Sequence, residues 1–445
     1  MENITDRFID ILYRLSRQDI DARTYKHAKY VLLDYLGTAI YGSGMLRKHM
    51  EAYLYNFQDG IDRATVMGMP HKYMPYHAAL LNGMAAHATE FDDGCRFGMI
   101  HLAAPIIPAV FAASENASIS GKYLLKGIIL GYEAAIRLSR SIQPYHKKKG
   151  YHTTATCGCI GAAIGVAVAL GCDKKELKRV LSVAVTNSSG VLEIQEDASE
   201  LKGFNAGMAA ANGLMAAYIG KSGLAAPDDA LGGKRGFLAV MSDRYCDEDK
   251  LLAVEDEYLI HKIYLKPYVS CRHCHPIVEG GIQIAVEEHL NSDCIKEILV
   301  YTYQLAVKGH EHKEIKNTSS AKLSIPFCLA ISVLRKKCGT EEFQEKWIND
   351  KEVISLIDKI TVLEDPELTR VSSERRSARV VIVLDNGIKY ERTVEYPLGE
   401  PENPMTEEEI KSKFITLAKA SVDTERVIES VFKIEMEFAT LVENL

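Results

Sequence analysis

Between Asn82 and Pro108 the chain reads NGMAAHATEFDDGCRFGMIHLAAPIIP. His87, Glu90, Asp92, Asp93 and His101 are crowded there into one turn and helix start, among alanines and other small residues. Titratable groups in an apolar neighbourhood acquire shifted pKa values, which is what proton transfer near neutral pH requires. A lone histidine of this kind would read as an ordinary core residue, so the weight rests on what accompanies it.

Three cationic segments do. KKKGYHTT (147–154) places Tyr151 and His152 just ahead of a small-residue helix, where backbone N–H groups and the dipole favour an anion. Lys202, in ELKGFNAGMAAANG, precedes another such helix and suits either carboxylate binding or, if desolvated, proton carriage. LKPYVSCRHCHP (265–276) gathers Lys266, Arg272, His273 and His275 at the expected join of two domains, a common place for a ligand. Its CRHCH spells a haem-attachment pattern, but covalent haem goes with export and the N-terminus does not read as a signal peptide. The same CxxC is half a zinc site, with no second CxxC or HxxxH pair at suitable spacing. GxGxxG before a βαβ unit, a P-loop, GxSxG and HExxH are absent. The residues therefore suggest a site with no metal and no cofactor. Cations and helix N-termini would stabilise negative charge developing on carbon beside a carboxylate, and a histidine would move the proton. Elimination, decarboxylation and epimerisation share that intermediate, and the inventory leaves all three open.

The elements that must position these groups are helical over most of the chain. From residue 5 to about 245 the apolar periodicity predicts helices, with Thr5 and Asp21 as caps of the first two and alanine-rich helices at 76–89, 104–117, 121–141, 153–170, 174–188 and 206–221. After about residue 257 the segments EYLIHKIYLKPY, IKEILVYTYQLAV, DKITVLED and ARVVIVLD read as strands, with Asp385-Asn386-Gly387 as a hairpin turn and helices at 276–290 and 325–337 between them. Thr406 then caps a return to helix over 406–419 and 423–437. The expected fold is mainly α: an all-helical domain from both chain ends (1–264 with 398–445) and a smaller α+β lid domain (265–397).

Composition fits that picture. Hydrophobic content of 47% and charged content of 25% are globular values, and a net charge of −7 argues against a nucleic-acid surface. The uncharged stretch from His152 to Cys172 is rich in Ala, Gly and Thr, so it reads as a buried central helix rather than a membrane span. Ten scattered cysteines suit free thiols in a reducing cytoplasm.

The order of six segments resembles the MmgE/PrpD family across nearly the whole chain. NGMAAHATEFDD with HLAAPIIPA, GYHTTATCGCIGAA, KGFNAGMAAANG, KPYVSCRHCHP, SAKLSIPFCLA and GEPENPMTEEEIKSKF follow one another as the family's motifs do. The resemblance implies a helical domain with an α+β lid, a homodimer, and cofactor-free chemistry on a small di- or tricarboxylic acid. It implies Glu90, His101, His152 and Lys202 as catalytic residues, and Lys266, Arg272, Asp93, Tyr151 and His275 as substrate-binding ones. A 2-methylcitrate dehydratase-like lyase leads. The alternatives are an epimerase of an iminodisuccinate-like dicarboxylate, a decarboxylase, or an inactive carboxylate-binding relative. Three positions depart from the family pattern: Glu90 stands for an aspartate, Gly94 for a threonine and Phe327 for a tyrosine.

Overall fold

The computed structural model describes residues 2–57, 63–196 and 199–445. The chain divides into two compact units, the first built from Met1–Glu196, Leu201–Leu265 and Thr406–Leu445, the second holding Lys266–Met405. The return to the first unit falls at Thr406 rather than 398. The intervening turn is tied to the second unit by Arg272, whose guanidinium binds Glu400.

The first unit is helical because its periodic segments end where caps are available. Asp21 accepts from Thr24 N–H and opens Ala22–Leu54, a helix longer than its early apolar stripe suggests. The first helix is capped by Asn3 rather than Thr5, whose hydroxyl instead donates to Asp229. Thr153–Ala169 is buried along its whole length and packs between Gly121–Ile142 and Lys202–Lys221. Among the described residues no helix is long and apolar enough to cross a membrane. Thr406 forms a capping box with Glu409, and Glu407–Ala418 packs on Ala22–Leu54, so both chain ends enter one core.

The second unit carries a four-stranded sheet in the order Ile360–Glu364, Ile295–Thr302, Ala378–Leu384, Lys389–Val394. The first pair is parallel and the other two antiparallel, with Val300 opposite Val380 and Ile382 opposite Tyr390. Gly387, at φ +85°, closes the hairpin, and Leu384 N–H donates to Ile388 O at 2.8 Å. Helices His275–Glu287 and Ile325–Arg335 pack on this sheet. EYLIHKIYLKPY forms no strand. Its centre is the 3₁₀ turn Leu259–Lys262, held where Leu259 N–H donates to the buried Glu133 carboxylate. QLAV likewise leaves the strand as a single helical turn.

The helices that bear Lys202 and His87 meet at Gly207, where an added Cβ would lie 2.3 Å from Leu80 O and 2.6 Å from Met84 Cγ. Backbone cannot give way as a flexible side-chain tip does, so Lys202–Lys221 and Pro75–Ala88 are held at this spacing only by glycine. G207A is expected to lower unfolding free energy by about 1–3 kcal/mol, the range for overpacking. Urea unfolding measures it, and an unchanged midpoint would show that the two helices separate freely.

Candidate active site

The turn after Pro75–Ala88 is fixed from several directions. Glu90 takes a left-handed backbone at φ +56°, which a non-glycine residue adopts only where its surroundings compel it. Its carboxylate pairs with Lys202, both side chains mostly buried. The next residue, Phe91, is gripped from Glu407–Ala418: Lys413 Nζ donates to its carbonyl at 2.7 Å, lies 4.0 Å from its ring centroid and pairs with Asp34 at 2.6 Å.

Asp93 is wholly buried and serves the scaffold. One carboxylate oxygen accepts from Leu102 and Ala103 N–H at 3.1 and 2.8 Å, at the start of Ala103–Asn116. The other accepts from the Tyr132 hydroxyl at 2.7 Å. Burial pushes this carboxyl up to about 7, while the hydrogen bonds from Ala103 and Tyr132 pull the other way. These contacts make Asp93 an anchor for the start of that helix.

Around this turn stand three histidines. The His87 ring centroid lies 4.9 Å from that of His101 and 5.9 Å from that of His152. His87 Nδ1 is 2.6 Å from the Asp92 carboxylate, and both side chains are fully buried. A carboxylate accepts, so His87 carries its proton on Nδ1. Its Nε2 is buried with no hydrogen-bond partner among the described residues. His101 Nδ1 lies 2.6 Å from the Asp93 carbonyl and 3.4 Å from Asp92. A carbonyl accepts only, which places the His101 proton on Nδ1 and makes Nε2 the basic nitrogen. His101 N–H donates to Thr154 Oγ1 at 3.1 Å, joining this segment to the start of Thr153–Ala169.

His152 differs. It is the N-cap residue of Thr153–Ala169, its N–H bonds Gly190 O at 3.0 Å, and Asn205 Nδ2 meets its Nδ1 at 3.2 Å. An amide N–H donating to Nδ1 leaves the neutral ring with its proton on Nε2. Burial holds the pKa of His152 well below the ordinary histidine value, reinforced by repulsion from His87, Lys202 and His101 and opposed by Glu90. His152 is thus a neutral N–H donor at neutral pH.

Asp92, His87 and His101 also offer ligand atoms within 4.8 Å of one another. Two ligands of one ion stand about 3 Å or more apart, given metal–ligand bonds near 2.1 Å. The 2.6 Å between His87 and Asp92 is therefore a hydrogen bond rather than half of a metal cage.

Of the expected residues, Glu90, His101, His152 and Lys202 come together here. Tyr151 bridges Val191 through its backbone and turns its ring to His146, 5.4 Å away. Lys266, Arg272 and His275 belong to the second unit, where all three are buried. Arg272 makes several hydrogen bonds within its own unit. Nε and Nη2 bind Glu400 at 3.1 and 2.8 Å, Nη2 reaches Pro397 O, and Nη1 reaches Leu398 O and His275 Nδ1. Arg272 thereby braces the 397–400 turn, and His275, whose Nε2 lies 3.4 Å from Ser270 O, packs beside it.

Two departures have physical reasons. Gly94 exchanges backbone hydrogen bonds with Tyr264 at 3.1 and 2.8 Å, and a Cβ there would stand 2.3 Å from the Tyr264 hydroxyl. No threonine fits, and a phenol oxygen occupies that space instead. Phe327 is fully buried with its ring 5.7 Å from Phe343, in apolar core where a hydroxyl would need a partner.

Two profile matches accord with this arrangement. The MmgE/PrpD N-terminal domain matches residues 6–247 and the MmgE/PrpD C-terminal domain residues 268–434. The chain belongs to the MmgE/PrpD family. It is 28% identical over 440 residues to cis-aconitate decarboxylase of Aspergillus terreus, covering 93% of this chain and 89% of that protein. It is 22% identical to the cis-aconitate decarboxylases of Mus musculus and Homo sapiens, covering 93% and 98% of this chain and 86% and 91% of theirs.

Sequence reasoning passed over Asn205, Tyr132, Tyr264 and Lys413. Asn205 alone left a trace, three residues after Lys202 on one helix face. D93A is expected to lower unfolding free energy by about 2–4 kcal/mol, from the lost helix-end acceptor and the stranded Tyr132 hydroxyl. Denaturant unfolding with a binding assay checks it. Wild-type stability with weakened ligand binding would return Asp93 to the substrate-binding set.

Proposed function

We propose that this chain is a lyase of small di- or tricarboxylic acids, acting through carbanion-type charge beside a carboxylate. The observation that carries the reading is the histidine trio: the His87 ring, its Nε2 buried without a hydrogen-bond partner among the described residues, lies 4.9 and 5.9 Å from two rings of opposite hydrogen-bonding character. His101 acts as proton carrier, its Nδ1–H held by the Asp93 carbonyl and its orientation supported by Asp92, as a base is oriented by a carboxylate in other enzymes. His152 donates a neutral N–H toward charge developing on the substrate, and the cation of Lys202, steadied by Glu90, holds a carboxylate.

A basic nitrogen beside a neutral donor suits removal of a carbon-bound proton, which puts dehydration of a 2-methylcitrate-like acid first. The names of the relatives favour a second reading, decarboxylation of a cis-aconitate-like acid, with His101 delivering a proton instead of taking one. A homodimer and a cytoplasmic setting belong to the same proposal.

The test offers 2-methylcitrate and cis-aconitate separately in deuterated water and follows them by proton NMR and carbon dioxide release. Dehydration gives an unsaturated acid without gas, and decarboxylation gives gas with deuterium at the protonated carbon. H101A is expected to lower kcat by about 10²–10⁴-fold. K202A is expected to raise KM chiefly, with stability changed by no more than about 1–2 kcal/mol. Binding of these and related acids without turnover or deuterium exchange would contradict the lyase reading, and full activity in H101A would contradict the role assigned to that residue.

A further inference from the structure

CRHCH (271–275) finds in the fold the partner that linear spacing denies it. Cys271 and His273 precede His275–Glu287, and His310 lies on the loop after Gln304–Val307, in the same unit. Their ligand atoms all fall within 4.8 Å of one another, and the His273 and His310 ring centroids are 5.0 Å apart.

We propose that Cys271, His273 and His310, all of the second unit, form a binding site for a zinc-class divalent cation. The donor set is one thiolate with two imidazoles, which suits a borderline-soft ion. Each imidazole is set by an outer hydrogen bond on Nδ1. His310 Nδ1 lies 3.2 Å from Lys308 O, and because a carbonyl only accepts, its proton is there and Nε2 is the ligating nitrogen. His273 Nδ1 lies 2.6 Å from the hydroxyl of the fully buried Tyr303, which accepts the Nδ1 proton when Nε2 holds the metal. Holding the non-ligating nitrogen in this way is how proteins orient metal-binding histidines. Neighbouring His312 is drawn off to Ser320 O, at 3.1 Å, so the site takes His310.

Tetrahedral ligation wants donor atoms about 3.5 Å apart, given bonds near 2.0 Å to nitrogen and 2.3 Å to sulfur. His310 follows Gly309, at φ +85°, on a loop, and a small rotation there closes the set. Three protein ligands, two of them only half-buried, leave the fourth position to water or a small ligand. Binding displaces the Cys271 thiol proton, so affinity rises with pH.

The test titrates the full-length, chelator-washed protein with Co²⁺, whose thiolate complex absorbs by charge transfer and which the cysteine-free trio of the first unit cannot mimic. One Co²⁺ per chain with that absorption is expected, lost in C271S and weakened at least about tenfold in H310A. Y303F, which removes only the outer hydrogen bond, is expected to weaken it by about tenfold. Circular dichroism checks folding. If C271S fails to fold, H310A on its half-exposed loop decides. Absence of the thiolate band in the wild type, or a band unchanged in folded C271S or in H310A, would overturn the proposal.

Discussion

Each acceptor oxygen of Asp93 is engaged within the protein. Its carboxylate takes two backbone N–H groups at the start of Ala103–Asn116 and the Tyr132 hydroxyl, and its carbonyl takes the Nδ1 proton of His101. One residue thereby fixes where a helix begins, where the next histidine sits and which nitrogen of that histidine is basic. The surrounding chain reinforces it. Lys413 holds the Phe91 carbonyl from Glu407–Ala418, and Lys202 holds Glu90 in its left-handed backbone from Lys202–Lys221. Such fixed dipoles and charges need little reorganisation when charge moves, which is what electrostatic preorganisation requires.

The electrostatics of the histidines follow from that frame. Neighbouring rings cannot all be cations in a buried space, and the structure separates their roles by what each Nδ1 meets. His87 and His101 meet oxygen acceptors, whereas His152 meets an amide donor and is kept neutral by burial and by its cationic neighbours. Chemically similar side chains at modest separation thus become basic nitrogens in two places and a neutral donor in the third.

Much of this was legible in the residues. Small-residue helices announced close packing, and Gly207 shows why, since its helix touches backbone. The sheet, its hairpin at Asn386-Gly387 and the capping box at Thr406 follow local rules that carry over unchanged into the fold. The misreadings came where long-range contacts decide. EYLIHKIYLKPY alternates like a strand, but its backbone pairing among the described residues is a single bridge from Tyr264 to Gly94, and Glu133 draws its centre into a turn. The Arg272–Glu400 pair joins residues 128 positions apart in sequence, which no local pattern contains. Tyr264 in the space beside Gly94, and His310 beside Cys271, are juxtapositions that no spacing rule contains.

The division of labour among the histidines is tested most directly by nitrogen-15 NMR of the histidine rings across a pH titration, with H152N used to assign the resonance. The account predicts that His152 stays neutral with its proton on Nε2 from neutral pH down through the ordinary imidazole midpoint near 6.5. A ring at position 152 that titrates near that midpoint, or that carries its neutral proton on Nδ1, would contradict it.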